Sequence, residues 1–410
     1  MRLSQHSDVT DRIVSADLCT GCGACAALAP KRVAMAMDDA GFLRPKRFGG
    51  LSRKQAGRIM KVCPGRGQAA PTPEAQQSVL WGGYHSVMQG WAHDADLRFA
   101  GASGGALSAL CVWLLESGQV DGVVQIAADA ENPMGNRTVV SRTRCDVLAA
   151  AASRYAPSAP LLEVPELLET GSRYAFVGKP CDVAALRKWA RLDTRVDQAF
   201  PVMVSFFCAG VPSQKGAEQI ASSLGVAAQD VTAFRYRGQG WPGKTVVKDR
   251  EGTDHAMTYH ESWGGVLSKY VQPRCRICAD GTGMSADIAF ADAWETDADG
   301  YPLFEEQDGR SLIVARNSHG ARLLDQAIEA DQIVAVPLAI EDVAAMQTGQ
   351  VRRRSELFGR LVGRVLAGLP IPQYRQMGVW NCARQTPVRQ SVRAALGMAR
   401  RCVMRRSARR

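Results

Sequence analysis

The amino-acid sequence predicts an α/β (α+β) body that follows a small cysteine-bearing module and precedes a basic helical tail. Three observations lead to this prediction. Strand-like apolar runs alternate with amphipathic helical runs between about residues 79 and 345. Cysteines cluster before residue 70, and the segment from Leu357 to Arg410 contains twelve Arg and no Asp or Glu. A chain of 410 residues is long enough for two or three such units.

The overall composition is that of a globular protein. Hydrophobic residues make up 46% of the chain and charged residues 22%, which argues against a disordered or collagen-like chain. No apolar run approaches the length of a membrane span, and the residues after Met1 do not resemble a secretory leader. We therefore expect a cytoplasmic protein with reduced cysteines. Residues 357–410 contribute +12 to the net charge of +10, so the rest of the chain carries −2.

Local patterns predict the individual elements in chain order. Apolar residues on both sides of Asp38–Gly41 predict a hairpin with Gly41 at its turn, and residues 66–78 predict a linker. In the body, each apolar run predicts a buried strand and the amphipathic run after it predicts a helix. The predicted pairs are 174–177 with 183–191, 202–207 with 214–224, and 312–315 with 321–330, followed by a strand over 333–336. A last amphipathic helix is expected over 391–409.

The first group of cysteines has the spacing of an iron–sulfur site. Cys19, Cys22 and Cys25 form a C-x2-C-x2-C motif, and Cys63, which precedes a proline, supplies a distant fourth thiolate. Three thiolates in one short loop suit three corners of a [4Fe–4S] cluster, whereas structural zinc sites usually draw their ligands as two separated pairs. We therefore predict one [4Fe–4S] cluster on these four cysteines, with zinc as the main alternative.

The surroundings of these cysteines refine that prediction. Gly21 and Gly23 permit a tight loop with positive φ that points backbone amides at the sulfurs. A bacterial ferredoxin motif would place a further cysteine before Pro30, where this chain has Ala29. Because that cysteine usually serves a second cluster, residues 1–70 are predicted to form a ferredoxin-like module that holds a single cluster.

Four more cysteines predict a second cluster in the body. Two of them follow predicted strands, and the other two form a C-x2-C pair. The carboxyl ends of strands in an α/β sheet converge on one crevice, so all four can meet there around a second [4Fe–4S] cluster. The alternative is two buried core thiols and a separate pair that binds a metal such as zinc. The predicted ligands are Cys181, Cys208, Cys275 and Cys278.

Besides the cysteine spacings, five short sequence motifs, taken in chain order, resemble those of a known family. They resemble the beta-subunit family of coenzyme F420 hydrogenase/dehydrogenase, which also includes ferredoxin-dependent chlorophyll-pathway reductases. The resemblance covers about residues 15–345 and implies an FAD flavoprotein with iron–sulfur clusters, with an N-terminal flavoprotein domain over 79–165 and a flavin and iron–sulfur domain over 166–345. The strings begin at Ala102 (ASGG), Val177 (VGKPCD), Cys208 (CAGVPS), Tyr236 (YRGQGWP) and Ala286 (ADIAFADAW).

The same resemblance suggests which residues contact the flavin. A Ser-Gly-Gly turn opens a predicted helix, where unpaired amides can meet a flavin carbonyl or phosphate. A lysine next to a predicted cluster ligand would favour the anionic reduced flavin and is the one predicted catalytic residue, with an ordinary surface lysine as the alternative. Two aspartates flank a strand and can accept from flavin hydroxyls or orient a loop. These predicted residues are Ser103, Gly104, Gly105, Lys179, Asp287 and Asp292.

The basic tail, residues 346–410, has apolar residues and arginines at helical spacings. This pattern allows contact with the inner surface of an anionic membrane or with an acidic electron donor such as a ferredoxin. No aromatic interleaving accompanies the arginines, which argues against nucleic-acid binding. A disordered solubilising tail is the alternative.

These observations together predict an oxidoreductase. It would take single electrons from a ferredoxin-like donor or a partner redox subunit, pass them through clusters to FAD, and deliver them to a small-molecule substrate. One alternative is an F420-oxidising or F420-reducing beta subunit of a larger complex, with coenzyme F420 as a further cofactor. The other is an electron relay that has no substrate of its own.

Overall fold

The computed structural model describes residues 9–295, 303 and 305–407. The strands are β1 (Val33–Met37), β2 (Leu43–Arg47), β3 (Gly67–Ala69), β4 (Gln76–Ser78), β5 (Gly82–Tyr84), β6 (Ser86–Ala92), β7 (Gly122–Ala128), β8 (Asn136–Ser141), β9 (Tyr174–Gly178), β10 (Val202–Phe206), β11 (Ala233–Arg235), β12 (Thr245–Lys248), β13 (Asp254–Met257), β14 (Ile288–Asp292), β15 (Ser311–Ala315), β16 (Ile333–Pro337) and β17 (Gln373–Arg375).

The α-helices range from single turns to five turns. They are α1 (Val9–Ser15), α2 (Ala24–Leu28), α3 (Arg53–Val62), α4 (Ala95–Ala100), α5 (Ala106–Glu116), α6 (Arg144–Ala149), α7 (Val164–Leu168), α8 (Pro180–Ala190), α9 (Arg195–Ala199), α10 (Gln214–Ser223), α11 (Pro273–Arg276), α12 (Ser318–Glu329), α13 (Val343–Met346), α14 (Thr348–Leu366), α15 (Val379–Arg384) and α16 (Val388–Ser407).

The body is built on one mixed sheet of eight strands in the order β16-β6-β15-β14-β10-β9-β7-β8. The four central strands β14, β10, β9 and β7 run parallel to one another, and the outer strands pair antiparallel. Ser205 of β10 aligns with Gly178 of β9, so these two strands end side by side, whereas Val204 aligns with Ile288, the first residue of β14. The predicted α/β body is confirmed.

The two central strands β9 and β10 are covered on both faces, which is why their sequences are nearly continuous apolar runs. Successive side chains point to opposite faces. Val177 and Val204 pack in one core with α5 and α12, whereas Phe176 and Met203 pack in a second core with α8. Cys111 of α5 is fully buried in the first of these cores and packs there among apolar side chains.

The N-terminal module contains the predicted hairpin. β1 and β2 pair antiparallel, and Gly41 in the connection has φ +78°, which favours glycine. Helix α3 begins with a capping box in which Ser52 and Gln55 each bind the other residue's backbone amide. This box fixes the start of the helix whose last turn leads directly into Cys63.

The expected linker over 66–78 is wrong in part, because it contains two short strands. β3 pairs in parallel with β17 from the C-terminal segment, and β4 pairs with β5. β17 lies about 300 positions further along the chain, so local composition could not reveal that pairing.

Residues 348–407 of the C-terminal segment are helical apart from two connections, contrary to the alternative of a disordered tail. Helices α14 and α16 pack closely, since a Cβ atom on Gly359 would lie 2.3 Å from Ser391 O and one on Gly363 would lie 2.0 Å from Ala395 O. The second contact lies four residues further along both helices than the first, so the two helices run in the same direction. Their inner face shares one apolar core with α1 and α3.

Among the helices described, none is both long enough and apolar enough to cross a membrane.

Candidate functional site

The first cysteine group surrounds one cavity in the N-terminal module. Cys19 and Cys22 lie in the loop before α2, Cys25 lies in its first turn, and Cys63 is the residue that ends α3. All four line the same cavity, and apolar side chains such as Ile59 complete its wall. The structure therefore brings together the four ligands that the sequence predicted for the first cluster.

The loop that carries these cysteines depends on two glycines. Gly21 has φ +83° and Gly23 has φ +88°, which confirms the predicted positive-φ backbone. A Cβ atom on Gly23 would also lie 2.9 Å from Ala159 O. The loop packs against residues of the body, where the Leu161 amide donates to Cys22 O at 3.1 Å.

The thiols of this group are buried and influence one another. Burial raises the pKa of the Cys22, Cys25 and Cys63 thiols, and the neighbouring cysteines raise these pKa values further. Four thiolates therefore require a compensating positive charge, which a metal cluster supplies on binding.

The second cysteine group lies at the carboxyl ends of two adjacent parallel strands. Cys181 follows β9 and Cys208 follows β10. Cys275 lies in α11 and Cys278 lies two residues after it. The Val211 amide, close behind Cys208 in the chain, donates to Cys275 Sγ at 3.5 Å.

Electrostatics link the four members of this second group. Burial raises the pKa of Cys181, and Cys208 and Cys278 are among the groups that raise it further. Burial also raises the pKa of Cys208, with Cys275 as the next cause. The four side chains therefore lie near one another, as the ends of parallel strands lead one to expect.

Arg274 is a buried cation between the two cysteine groups. It is 1% exposed, and its Nη2 donates to Pro64 O at 3.1 Å and to Gln68 Oε1 at 3.2 Å. Its Nε and Nη1 have no hydrogen-bond partner, and no ion pair with a carboxylate is found for it within the described chain. A buried guanidinium stays protonated and is costly without a counter-charge. Its position next to Cys278 suits an anionic group held by the cysteines.

Gln272 contacts both cysteine groups. Its Nε2 donates to Thr20 O at 3.3 Å and to Cys275 Sγ at 3.4 Å. Its Oε1 accepts from Arg44 Nη1 at 3.0 Å, and the same Arg44 atom donates to Cys19 O at 3.3 Å. One side chain therefore joins the loop of the first group to a sulfur of the second.

The sequence reasoning missed Arg44, Gln272 and Arg274. The only available signal was that Gln272 and Arg274 immediately precede the C-x2-C pair. Their contacts with residues 20 and 64 join parts of the chain that are more than 200 positions apart.

Lys179 is buried next to the second group, so the alternative of a surface lysine is wrong. It is 7% exposed, and its Nζ lies 2.6 Å from Asp182 Oδ2 and 2.9 Å from Ser158 Oγ. Burial alone would lower the pKa of Lys179, but the Asp182 carboxylate raises it above its usual value. Lys179 therefore carries a positive charge beside Cys181.

The Ser-Gly-Gly turn contacts the protein itself. Ser103 Oγ donates to Arg310 O at 2.9 Å, and the Gly104 amide donates to Ser311 Oγ at 3.0 Å. Gly105 has φ +71° and caps α5. The contacts of these glycines explain why the turn requires them, and they leave a role toward a flavin as a prediction.

Asp287 and Asp292 lie at opposite ends of β14. The Asp287 carboxylate, at the end away from the cysteines, accepts from Arg187 at 2.6 Å, from Asn317 at 2.8 Å and from the Met203 amide at 2.8 Å. These three partners favour the predicted alternative that Asp287 orients its surroundings.

Asp292 lies at the same edge of the sheet as the cysteines, within an aromatic cluster. Arg237 donates to both of its carboxylate oxygens at 2.7 and 2.8 Å, and Trp241 Nε1 donates at 2.8 Å. The Trp241 and Trp294 rings stack at 4.8 Å. The Trp263 ring packs against Tyr155, with the ring centroids 4.9 Å apart.

Across residues 9–295, 303 and 305–407, no three His, Cys, Asp or Glu side chains are grouped closely enough to hold a metal ion. Two features of the described residues suit a cluster, namely the four-cysteine cavity and the buried Arg274. A cluster core supplies positive charge to the four thiolates, and together with those thiolates it is anionic, which suits the buried Arg274.

Comparisons with known proteins agree on one family. Family models for the N-terminal and C-terminal parts of the coenzyme F420 hydrogenase/dehydrogenase beta subunit match residues 87–166 and 171–341. The coenzyme F420 hydrogenase subunit beta of Methanococcus voltae is 26% identical over 307 residues, which span 71% of this chain and 99% of that protein.

Two further comparisons extend this result. The coenzyme F420-dependent sulfite reductase of Methanocaldococcus jannaschii is 24% identical over 76% of this chain, which spans only 46% of that protein. A chain of the F420-reducing [NiFe] hydrogenase complex from Methanosarcina barkeri has the same fold, with a TM-score of 0.51, 23% identity, and coverage of 68% of this chain and 96% of that one. The chain described here belongs to the coenzyme F420 hydrogenase/dehydrogenase beta-subunit family.

Proposed function

We propose that this chain is the F420-handling subunit of a larger redox complex, and that it exchanges electrons between a partner subunit and coenzyme F420. The observation that carries the proposal is the contact of Gln272 with both cysteine groups, which makes them neighbours in one molecule. The proposal that the chain is a subunit is supported by its relatives, which are named as subunits of hydrogenases and formate dehydrogenases that use F420.

Eight cysteines would hold two [4Fe–4S] clusters. Cys19, Cys22, Cys25 and Cys63 provide the first set of thiolates. The second set is Cys181, Cys208, Cys275 and Cys278. Bound clusters supply single-electron transfer. Coenzyme F420 exchanges electrons in pairs, so a bound flavin, here FAD, is proposed as the converter between the two kinds of step.

Residues around the two cysteine groups determine the shape, the dryness and the charge of the two proposed cluster sites. Apolar side chains around the first group exclude water, and Gly21 and Gly23 shape the loop that holds three of the sulfurs. Arg274 holds positive charge beside the second group, where it favours added negative charge, whereas the charge of Lys179 is balanced by Asp182. Gln272 fixes the position of Cys275 relative to the first loop and donates a hydrogen bond to its sulfur.

The first test measures iron, acid-labile sulfide and FAD in chain purified without oxygen. Two cubane clusters predict about eight irons per chain. Cys63→Ser and Cys208→Ser should each reduce this to about four. Cys145→Ser, a change at an exposed cysteine, is the control and should leave the iron content unchanged. Zinc without sulfide would refute the proposal.

The second test measures oxidation of reduced F420 with an artificial one-electron acceptor. Turnover by the isolated chain, lost in both cysteine variants, is expected. Clusters with neither flavin nor F420 turnover would instead identify an electron relay.

A further inference from the structure

The C-terminal helices expose an unusual amount of apolar surface. Ten of the fifteen large apolar side chains that are exposed in the described chain lie between residues 362 and 404, although that segment is only about a tenth of the protein. Single exposed apolar residues are ordinary, but such a concentration marks an interaction surface.

Helix α16 carries a continuous apolar stripe on its outer side. Val388, Val392, Leu396 and Val403 are 51–79% exposed. At 100° per residue they fall within an arc of about 80°, and they extend about 22 Å along the helix. The residues on the other side, such as Met398, are buried in the core. The outer stripe is therefore not needed to hold the helix in place.

A groove lies on the outer side of α14. It has a volume of about 600 Å³ and is lined by apolar residues of α14, including Val362 and Leu366, and by Ile371 and Trp380 from the following segment. Trp380 is 53% exposed at this groove. A tryptophan that contacts water on one side and apolar groups on the other is typical of membrane–water interfaces.

The charge of this region identifies the kind of partner. Residues 357–410 contain twelve Arg and no acidic residue. On α16, Arg389, Arg393 and Arg400 fall within an arc of about 40° beside the apolar stripe. An apolar strip bordered by arginines is the pattern of a helix that lies in the interface of an anionic bilayer.

We propose that α14, α15 and α16 form a docking surface for a bilayer that contains anionic phospholipid, with α16 lying parallel to the bilayer plane. The family models end at residue 341, so this surface belongs to the part of the chain beyond them. It rests on the first cysteine module, because Arg364 bonds to Ala16 O and Arg405 pairs with Asp17. Docking would hold that module close to the membrane. The proposal does not depend on F420 chemistry.

Vesicle sedimentation tests the proposal with the full-length chain. Vesicles of phosphatidylcholine alone are compared with vesicles in which a quarter of the lipid is phosphatidylglycerol. We expect binding to the anionic vesicles and at least about tenfold weaker binding to the neutral ones. The double variants Leu396→Ser with Val403→Ser, and Arg393→Gln with Arg400→Gln, should each weaken binding by about tenfold or more. Phe48→Ser, which removes an apolar side chain that is 66% exposed outside this region, should bind like the parent chain.

Circular dichroism and iron content of each variant verify that it remains folded. Equal binding of the parent chain to both kinds of vesicle would overturn the proposal, as would full binding by the Leu396 and Val403 variant. Absence of vesicle binding together with a dimer that this variant dissociates would show that the surface binds a second copy of the chain instead.

Discussion

Arg274 and Gln272 lie on either side of Pro273, and together they contact both cysteine groups. Arg274 reaches the residue after Cys63, and Gln272 reaches the residue after Cys19. A buried cation and an N–H···S hydrogen bond both favour additional negative charge on nearby sulfur ligands. We therefore expect these two side chains to set the reduction potential of the second cluster.

Arg274→Gln should lower the potential of the second cluster by on the order of 100 mV, since it removes a full positive charge at close range. The measurement is a redox titration followed by electron paramagnetic resonance. Arg322→Gln, at an exposed position of α12, is the control and should leave both potentials unchanged. An unaltered second potential in a variant that retains its iron would contradict this role.

Gln272→Leu should lower the same potential by a smaller amount, because it removes one hydrogen bond to Cys275 Sγ and no net charge. The first cluster, whose sulfurs this amide does not contact in the structure, should keep its potential. Gln219→Leu on the exposed side of α10 serves as the matched control. Equal shifts in both clusters would show that the substitution acts through a general structural change.

For individual residues, the sequence predicted the eight candidate cysteine ligands but not Arg274 and Gln272, which contact both cysteine groups. Cysteine ligands can be recognised in a sequence by their spacing. The parallel strands β9 and β10 explain why Cys181 and Cys208 are neighbours. Arg274 and Gln272 have no such pattern, because their partners are remote in sequence. Asp287 also shows that a polar residue at a strand end can hold neighbouring segments in place, since its carboxylate accepts hydrogen bonds from three of them.

Among the elements, the strands and helices of the body follow the predicted alternation closely. The apolar runs at 174–177, 202–207 and 312–315 became β9, β10 and β15. The C-terminal elements were harder to predict, since their positions depend on contacts with the N-terminal module. Helices α14 and α16 approach closely only because Gly359 and Gly363 lack side chains where they meet.

That helix contact can be tested by adding one methyl group. Gly363→Ala should destabilise the protein by about 1–3 kcal/mol, because the new Cβ would lie 2.0 Å from Ala395 O. Gly57→Ala in α3, where nothing lies within 4 Å of the added atom, should instead stabilise it by about 0.5–1 kcal/mol. Denaturant unfolding of the cluster-loaded chain measures both values. Equal effects of the two substitutions would show that the contact is not tight.

For the whole molecule, the arrangement of the apolar cores predicts which regions lose stability when a cluster is removed. One core joins α1 and α3 with α14 and α16, and the body has its own cores around the large sheet. Three cysteines of the first group, Cys19, Cys25 and Cys63, pack against the joint core of the two ends, whereas Cys22 packs in a core of the body. Bound metal stabilises the module that holds it. Removal of the first cluster should therefore loosen both ends of the chain before it affects the sheet.

Amide hydrogen exchange of the Cys63→Ser variant checks this expectation. Exchange should become at least about tenfold faster in α3, α14 and α16, because local opening of the joint core costs less free energy without the cluster. The exchange of α5 and α12, which pack in a different core, provides the internal control. Faster exchange throughout the chain would show a single cooperative unit.

The parallel pairing of β3 with β17 has a consequence for how this protein can be shortened. The residues just after Cys63 take their only strand neighbour in the described chain from positions 373–375, so the N-terminal and C-terminal ends are joined by backbone hydrogen bonds. A version that ends before β17 would leave β3 without this partner. Any engineered replacement of one end of this protein must therefore include the other end as well.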